Sequence, residues 1–178
     1  ENMPFSELCE RWLQYKKPLL KEKQYNSYKT NLKPFDVLGD TSVIKLVKSD
    51  FQTIINEYAA LNPRTHKPTS KKTLRDFRLT ARQVFDFAVE NRILDYNPVA
   101  YVEIPKDAPK QERRALTEEE QRWIIETPHR AQLPAMLMML SGLRLSEALA
   151  LQWQDIDLEK SQIFVHQKLV MKGTPHIE

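Results

Sequence analysis

The chain has 178 residues, 41% hydrophobic and 29% charged, which is room for one large or two small domains with real cores. That balance argues against disorder, no apolar run approaches the roughly 20 residues a membrane helix needs, and no basic-then-apolar signal opens the chain. The net charge of +3 is uneven: up to Arg114, 21 Lys and Arg face 15 Asp and Glu (net +6), and from Ala115 onward 6 face 9 (net −3), marking the first part as the polyanion-facing half.

From Phe5 to Lys17 the residues Phe5, Leu8, Cys9, Trp12 and Leu13 recur at three- and four-residue steps, one face of an amphipathic helix. Pro4 or Ser6 marks its start and Pro18 its end. Cys9 reads as a small buried hydrophobe, and as the one cysteine it excludes an internal disulfide framework and fits a reducing cytoplasm. A second helix carries Tyr25, Tyr28 and Leu32 on one face and stops near Lys33, because Pro34 disfavours helix in the residue before it. At that spacing the tyrosines read as core residues with hydroxyls at the rim, rather than base-stacking or catalytic groups. Phe35 to Ile44 is a connection punctuated by Gly39-Asp40. Ser49 or Asp50 caps a third helix bearing Phe51, Ile54, Ile55, Tyr58 and Leu61, and residues 62–68 form a polar, proline-flanked loop.

Thr69 or Ser70 opens the longest helix, which extends to about Asn91. Leu74, Phe77, Ala81, Val84, Phe85 and Ala88 make its apolar stripe. Lys71, Arg75, Arg78 and Arg82 follow i, i+4, i+7 and i+11 on a second face, roughly 90–100° from the first. Such a helix can dock on a core with one side and offer cations to phosphates with the other. Its N-terminus adds free N–H groups and the positive end of the dipole, which favours Ser70, Lys71 and Lys72 as phosphate contacts. The alternative is a solvated charged flank, into which Asp76 and Glu90 also fit.

Pro98, Pro105 and Pro109, with Lys106, Lys110, Arg113 and Arg114, read as an extended basic linker able to track a DNA backbone. Domains are expected at 1–105 and 116–178, with the linker at 106–115. Thr117 and Glu120 have capping-box spacing ahead of a helix with Trp123, Ile124 and Ile125 as its apolar body. After Pro128, Leu133 to Leu140 is a strongly apolar helix in which Met136, Met138 and Met139 fill core.

The stretch from Ser141 to Leu158, SGLRLSEALALQWQDIDL, reads as an apolar helix with Arg144 and Glu147 on one face, then Trp153 and the acidic turn Asp155-Ile156-Asp157. Leu140, Leu143, Leu149 and Leu151 are expected to tie it into a core. The Arg144/Glu147 pair has two readings: a surface ion pair worth a few tenths of a kcal/mol, or a planar guanidinium fork held by a carboxylate and offered to a phosphate oxygen. Ser161 to His166 reads as a strand, Lys168 to Met171 as its partner or extension, and Lys172-Gly173 as a turn. His66, His129, His166 and His176 show no metal-ligand spacing, and three glycines leave no phosphate-cradling loop.

The string G-L-R-x-S-E-x-x-x-L-x-W-x-D-I-D, from Gly142 to Asp157, resembles the first arginine box of the tyrosine recombinases, the phage integrases and their relatives. The four helices, closing on AVENRILDYNPVAYVEIPK, resemble that family's core-binding domain over Phe5 to Lys106. The resemblance implies a mainly α fold: a four-helix, SAM-like core-binding domain, then a truncated α+β catalytic domain. It places Arg144 on the scissile phosphate with Glu147 supporting the site. It also implies that DNA lies against Ser70, Lys71, Lys72, Arg75, Arg78 and Arg82 and the linker cations Lys106, Lys110, Arg113 and Arg114.

Family members use neither metal nor nucleotide cofactor. A tyrosine attacks the phosphate and a freed 5′-hydroxyl reseals it, with four protomers acting on two duplexes. Here no H-x-x-R follows Glu147 and no tyrosine follows Tyr101. The catalytic lysine's K-T-x-x-S-x-R context is absent too, and neither Lys168 nor Lys172 is assigned to it. The piece is therefore expected to bind attachment-site-like duplex DNA weakly, as a monomer, without cleaving it. It is also expected to expose apolar surface beside the missing catalytic parts. Such a protein would work on the nucleoid, in the cytoplasm of a bacterial or phage-infected cell. Two other readings stay open: a non-enzymatic DNA-binding regulator derived from an integrase, and a helical protein-interaction module.

Overall fold

The computed structural model of the chain describes residues 3–110, 112–170 and 176–177. Its contacts divide into two units, Glu1–Glu112 and Arg113–Glu178. No described helix is long and apolar enough to cross a membrane.

The first unit is built from α1 (Phe5–Lys16), α2 (Glu22–Leu32), α3 (Lys48–Ala60) and α4 (Lys71–Glu90), with short 3-10 turns at Lys17–Leu19, Lys33–Leu38 and Val43–Lys45. α1 and α2 end at Lys16 and Leu32, just before the prolines expected to stop them, and each continues as a tighter turn. Pro18 and Pro34 each sit in the first turn of a 3-10 segment, where the missing N–H has no acceptor to lose. Lys33 keeps a helical backbone (φ −50, ψ −38) directly before Pro34, whose ring is buried beside Phe35. The α3 cap lies two residues before Ser49 and three before Asp50, the expected caps. Val47 is its N-cap residue, and its amide donates to Asp50 Oδ2 at 2.9 Å, so the carboxylate reaches back from the third helical position. Ser70 caps α4, its hydroxyl accepting from the Thr73 amide.

The core lies where α1, α3 and α4 converge. Phe5 stacks on Phe85 with ring centroids 5.5 Å apart, and Phe51 meets Phe85 edge-on at 5.3 Å. Phe35 closes the cluster at 5.5 Å from Phe51. Leu8, Trp12, Leu74, Val84 and Ala88 are buried around these rings. Tyr28 packs half-buried on Trp12, as expected at the rim, whereas Leu61 at the end of α3 is exposed. Cys9 packs against the same core, and burial pushes its thiol up to about 12, which makes it inert filler. Val99, Val102 and Ala108 are buried on this core too, so the stretch read as extended linker lies packed on the first unit as far as Pro109.

The second unit holds α5 (Glu118–Glu126), α6 (Gln132–Ser141) and α7 (Leu145–Ala148), then β1 (Ile156–Asp157), β2 (Gln162–Ile163), β3 (Leu169–Val170) and β4 (His176–Ile177). Thr117 and Glu120 form the capping box of α5. Pro134 falls in the first turn of α6, where it breaks no helical bond. β1 pairs antiparallel with β2, and β3 pairs with β4, so it is neither the partner nor the extension of the preceding strand that the sequence offered. Met171, Lys172 and Gly173 lie outside the described residues.

Candidate nucleic-acid interface

Arg144 does not sit inside a helix with Glu147. α6 ends at Ser141, and Gly142 takes a left-handed backbone (φ 70) while its amide closes on Met138 O at 3.1 Å. Only glycine adopts that conformation without a Cβ penalty, so the long apolar run is cut in two. Arg144 is then the N-cap residue of the one-turn helix α7, with extended backbone angles (φ −73, ψ 153). Glu147 is the third residue of that turn. Its Oε2 accepts from the Arg144 amide and its Oε1 from Arg144 Nη1, each at 2.8 Å. The i, i+3 pairing is as expected, but its cause is an N-terminal cap rather than two neighbours on one helix face.

That geometry sets the charge state. The Arg144 backbone amide, and then its guanidinium, hold the Glu147 carboxyl below the usual carboxylate range. The Arg144 side chain is 83% exposed against 18% for Glu147. A fork anchored at one nitrogen and otherwise meeting no described acceptor is positioned to receive an anion. The apolar support differs from expectation: Leu143 is buried, but Leu140 and Leu149 are exposed and Leu151 is half-buried. The reason is local, since α7 is too short to present a continuous apolar face.

Sequence reading assigned no role to the anchor beneath this turn. Asp155 is buried and accepts from the Gln152 amide at 2.9 Å and from Gln167 Nε2 at 3.4 Å. His166 Nε2 lies 3.8 Å from its other oxygen. The three-residue cap spacing from Gln152 to Asp155 was the available signal. An apolar cleft of about 640 Å³, lined by Leu133, Leu137, Trp153, Leu158 and Ile163 among others, lies in the same unit and does not include Arg144 or Glu147.

In the first unit the cations of α4 separate into two kinds. Lys72 and Arg75 are exposed, Lys72 lying 3.4 Å from Asp76. Arg82 is exposed and 3.7 Å from Asp86. Arg78 is instead half-buried, and its Nη1 donates to Val102 O at 3.0 Å. Lys71 is half-buried, with its Nζ 3.5 Å from Lys106 O. The helix face that carries the basic stripe is therefore also the face along which residues 97–109 run. Lys106 and Lys110 are exposed beside it.

Arg113 is exposed in the second unit. Arg114 uses both Nη atoms on Glu120, each bond 2.6 Å. Those bonds, followed by the Thr117 amide, hold the Glu120 carboxyl at about 2.

Comparison with known proteins falls on both units. The family described as "Phage integrase, N-terminal SAM-like domain" matches residues 4–59, and the "Phage integrase family" matches residues 109–176. The prophage ps2 probable integrase of Lactococcus lactis subsp. lactis (strain IL1403) is 24% identical, over 94% of this chain and 45% of that protein. A "Tyrosine recombinase XerC-like" protein of Caldanaerobacter subterraneus subsp. tengcongensis is 26% identical, over 98% of this chain and 46% of that protein. The chain thus spans a little under half the length of these curated relatives. Among solved structures, the Tn1549 transposon integrase in complex with transposon right end DNA matches 99% of this chain and 57% of that one, with a TM-score of 0.75 at 19% identity. That likeness concerns the fold.

Proposed function

Because this chain belongs to the phage integrase family of tyrosine recombinases, we propose that it binds duplex DNA and brings Arg144 to the scissile phosphate in site-specific recombination. The observation that carries the reading is the exposed Arg144 fork, pinned at 2.8 Å by a carboxylate that also caps its own backbone. A pre-oriented guanidinium stabilises charge on a pentavalent phosphate without reorganising at the moment of reaction. Glu147 acts as the positioning residue for it.

The duplex is contacted by Ser70, Lys71, Lys72, Arg75 and Arg82 at α4 and by Lys106, Lys110 and Arg113 after it. α4 offers exposed cations, the positive end of its dipole and an apolar side already committed to the core, while its Lys71 and Thr73 amides are taken by Pro109 O and Ser70 Oγ. Arg114 serves the protein more than the phosphates, since Glu120 engages both its Nη atoms, and Arg78 is half-buried with one Nη on Val102 O, unlike the exposed Arg144.

With no tyrosine after Tyr101, this stretch supplies no nucleophile at the family's position. It binds DNA and does not cut it, and the complete activity, target site and tetramer belong to the longer proteins it resembles. A regulator that occupies attachment sites without cutting them would share this half of the chemistry.

The test is fluorescence anisotropy with a labelled duplex across a salt series. Binding should weaken linearly in log–log form, with the slope falling by about 0.9 for each phosphate contact removed by alanine at Lys72, Arg75 or Arg82. No binding at low salt would overturn the reading. A covalent adduct on a nicked duplex would overturn its non-cleaving part.

A further inference from the structure

Residues 97–109 form a strap that returns along α4 toward that helix's N-terminus. Asn97 starts it: Nδ2 donates to Arg82 O at 2.9 Å and to Asp86 Oδ1 at 2.7 Å, while Oδ1 accepts from the Val99 amide at 2.8 Å. Next, Arg78 Nη1 holds Val102 O at 3.0 Å. Gln52 on α3 then grips the following residue from the other side. Its Oε1 accepts from Glu103 N at 2.8 Å and its Nε2 donates to Glu103 O at 3.0 Å, so one side-chain amide imitates a β-strand partner. Finally Pro109 O accepts from the Lys71 amide at 2.7 Å, satisfying the first free N–H of α4.

We infer that Gln52, Arg78 and Asn97 form a latch that fixes where the chain leaves the first unit, which makes them positioning residues for DNA binding. The inference rests on the DNA-binding reading above. The distances explain why a latch matters. Arg82 and Lys71 are separated by about 16 Å of helix. A released segment from Asn97 to Pro109 could reach about 40 Å. Two DNA-binding units joined by such a tether have an effective concentration for each other that falls as the tether loosens. Latched, the chain leaves beside the first amide of α4, where the helix dipole and Lys71, Lys72 and Arg75 lie. Arg78 thereby gains a role different from that of the other cations in its stripe: it anchors the strap rather than a phosphate.

Amide hydrogen exchange on the free chain tests the latch, and salt-series anisotropy with the labelled duplex tests its purpose. Gln52→Ala and Arg78→Ala should each speed exchange at Glu103 at least about tenfold while α1 and α3 amides stay protected. Both should weaken DNA binding about three- to tenfold with the log–log salt slope unchanged. Arg75→Ala should weaken binding with a shallower slope, which is the mark of a lost phosphate. A slope reduced by about 0.9 in Arg78→Ala would make that residue a phosphate contact and overturn its place in the latch. Faster exchange with unchanged affinity would overturn the positioning role. Wild-type chain that ignores DNA would sink the DNA reading and with it the positioning role, while the exchange result alone would still decide whether the latch exists.

Discussion

α4 carries a single apolar stripe and α6 is apolar nearly all round, yet the first is the spine of a core and the second stays half in water. In α4 the residues Leu74, Phe77, Ala81, Val84, Phe85 and Ala88 form one stripe, and every one of them is buried. In α6 the apolar residues run all round, Leu133 and Leu140 are exposed, and the residues between them are half-buried. A stripe can be satisfied by neighbours on one side, whereas a helix that is apolar all round needs them on every side. α1, α2 and α3 all contact α4, while α5 and α7 cover α6 in part. Among the described residues, Leu143 and Ala150 are the buried hydrophobics of the second unit. Apolar content therefore says how much burial a segment requires, and the count of opposing elements says how much it gets.

The sharpest way to break this contrast is to delete an aromatic from each unit. Phe51→Ala should cost the first unit about 3–5 kcal/mol in chemical denaturation, because it removes a fully buried ring touching Phe5, Phe35 and Phe85. Ser70→Ala should cost about 1 kcal/mol by the same measurement, through loss of the α4 cap. Trp153→Ala, at a side chain in a residue 83% exposed, should stay within about 0.5 kcal/mol despite its size. A large loss at Trp153 would mean that the second unit has a core after all.

The mildest effect is pH-dependent. The Glu120 carboxyl is held at about 2 in the folded chain against an ordinary value of 4.5. The unfolded form takes up its proton first as pH falls, so its contribution is full above 4.5 and lost on the way down to about 2. Carboxyl NMR titration should place its midpoint well below that of an exposed glutamate, and Arg114→Ala should bring it back up. An unshifted midpoint would show that the bidentate pair does not persist in solution.

Local signals were legible in the residues themselves. The stripe of α4, the Ser70 cap, the Thr117–Glu120 box and the closeness of Arg144 to Glu147 all depend on partners three or four positions apart, where helix or cap geometry sets the distance.

What needed the tertiary structure was every partner distant in the chain. Gln52 meets Glu103 across 51 residues, and Arg78 meets Val102 across 24. Composition marked both the strap and the α4 cations as basic and solvent-facing, and only packing could decide which would grip the protein and which would stay free. The exchange of partners between β2 and β4 is the same case, because two-residue ladders carry too little pattern to choose a neighbour. The chain by itself thus determined α1, α2, α4 and α5, the Ser70 and Thr117 caps and the pairing of Arg144 with Glu147, because those are short-range. The folded core decided burial, strand partners and the division of cations between strap and solvent, because each is a competition among groups that meet only after collapse.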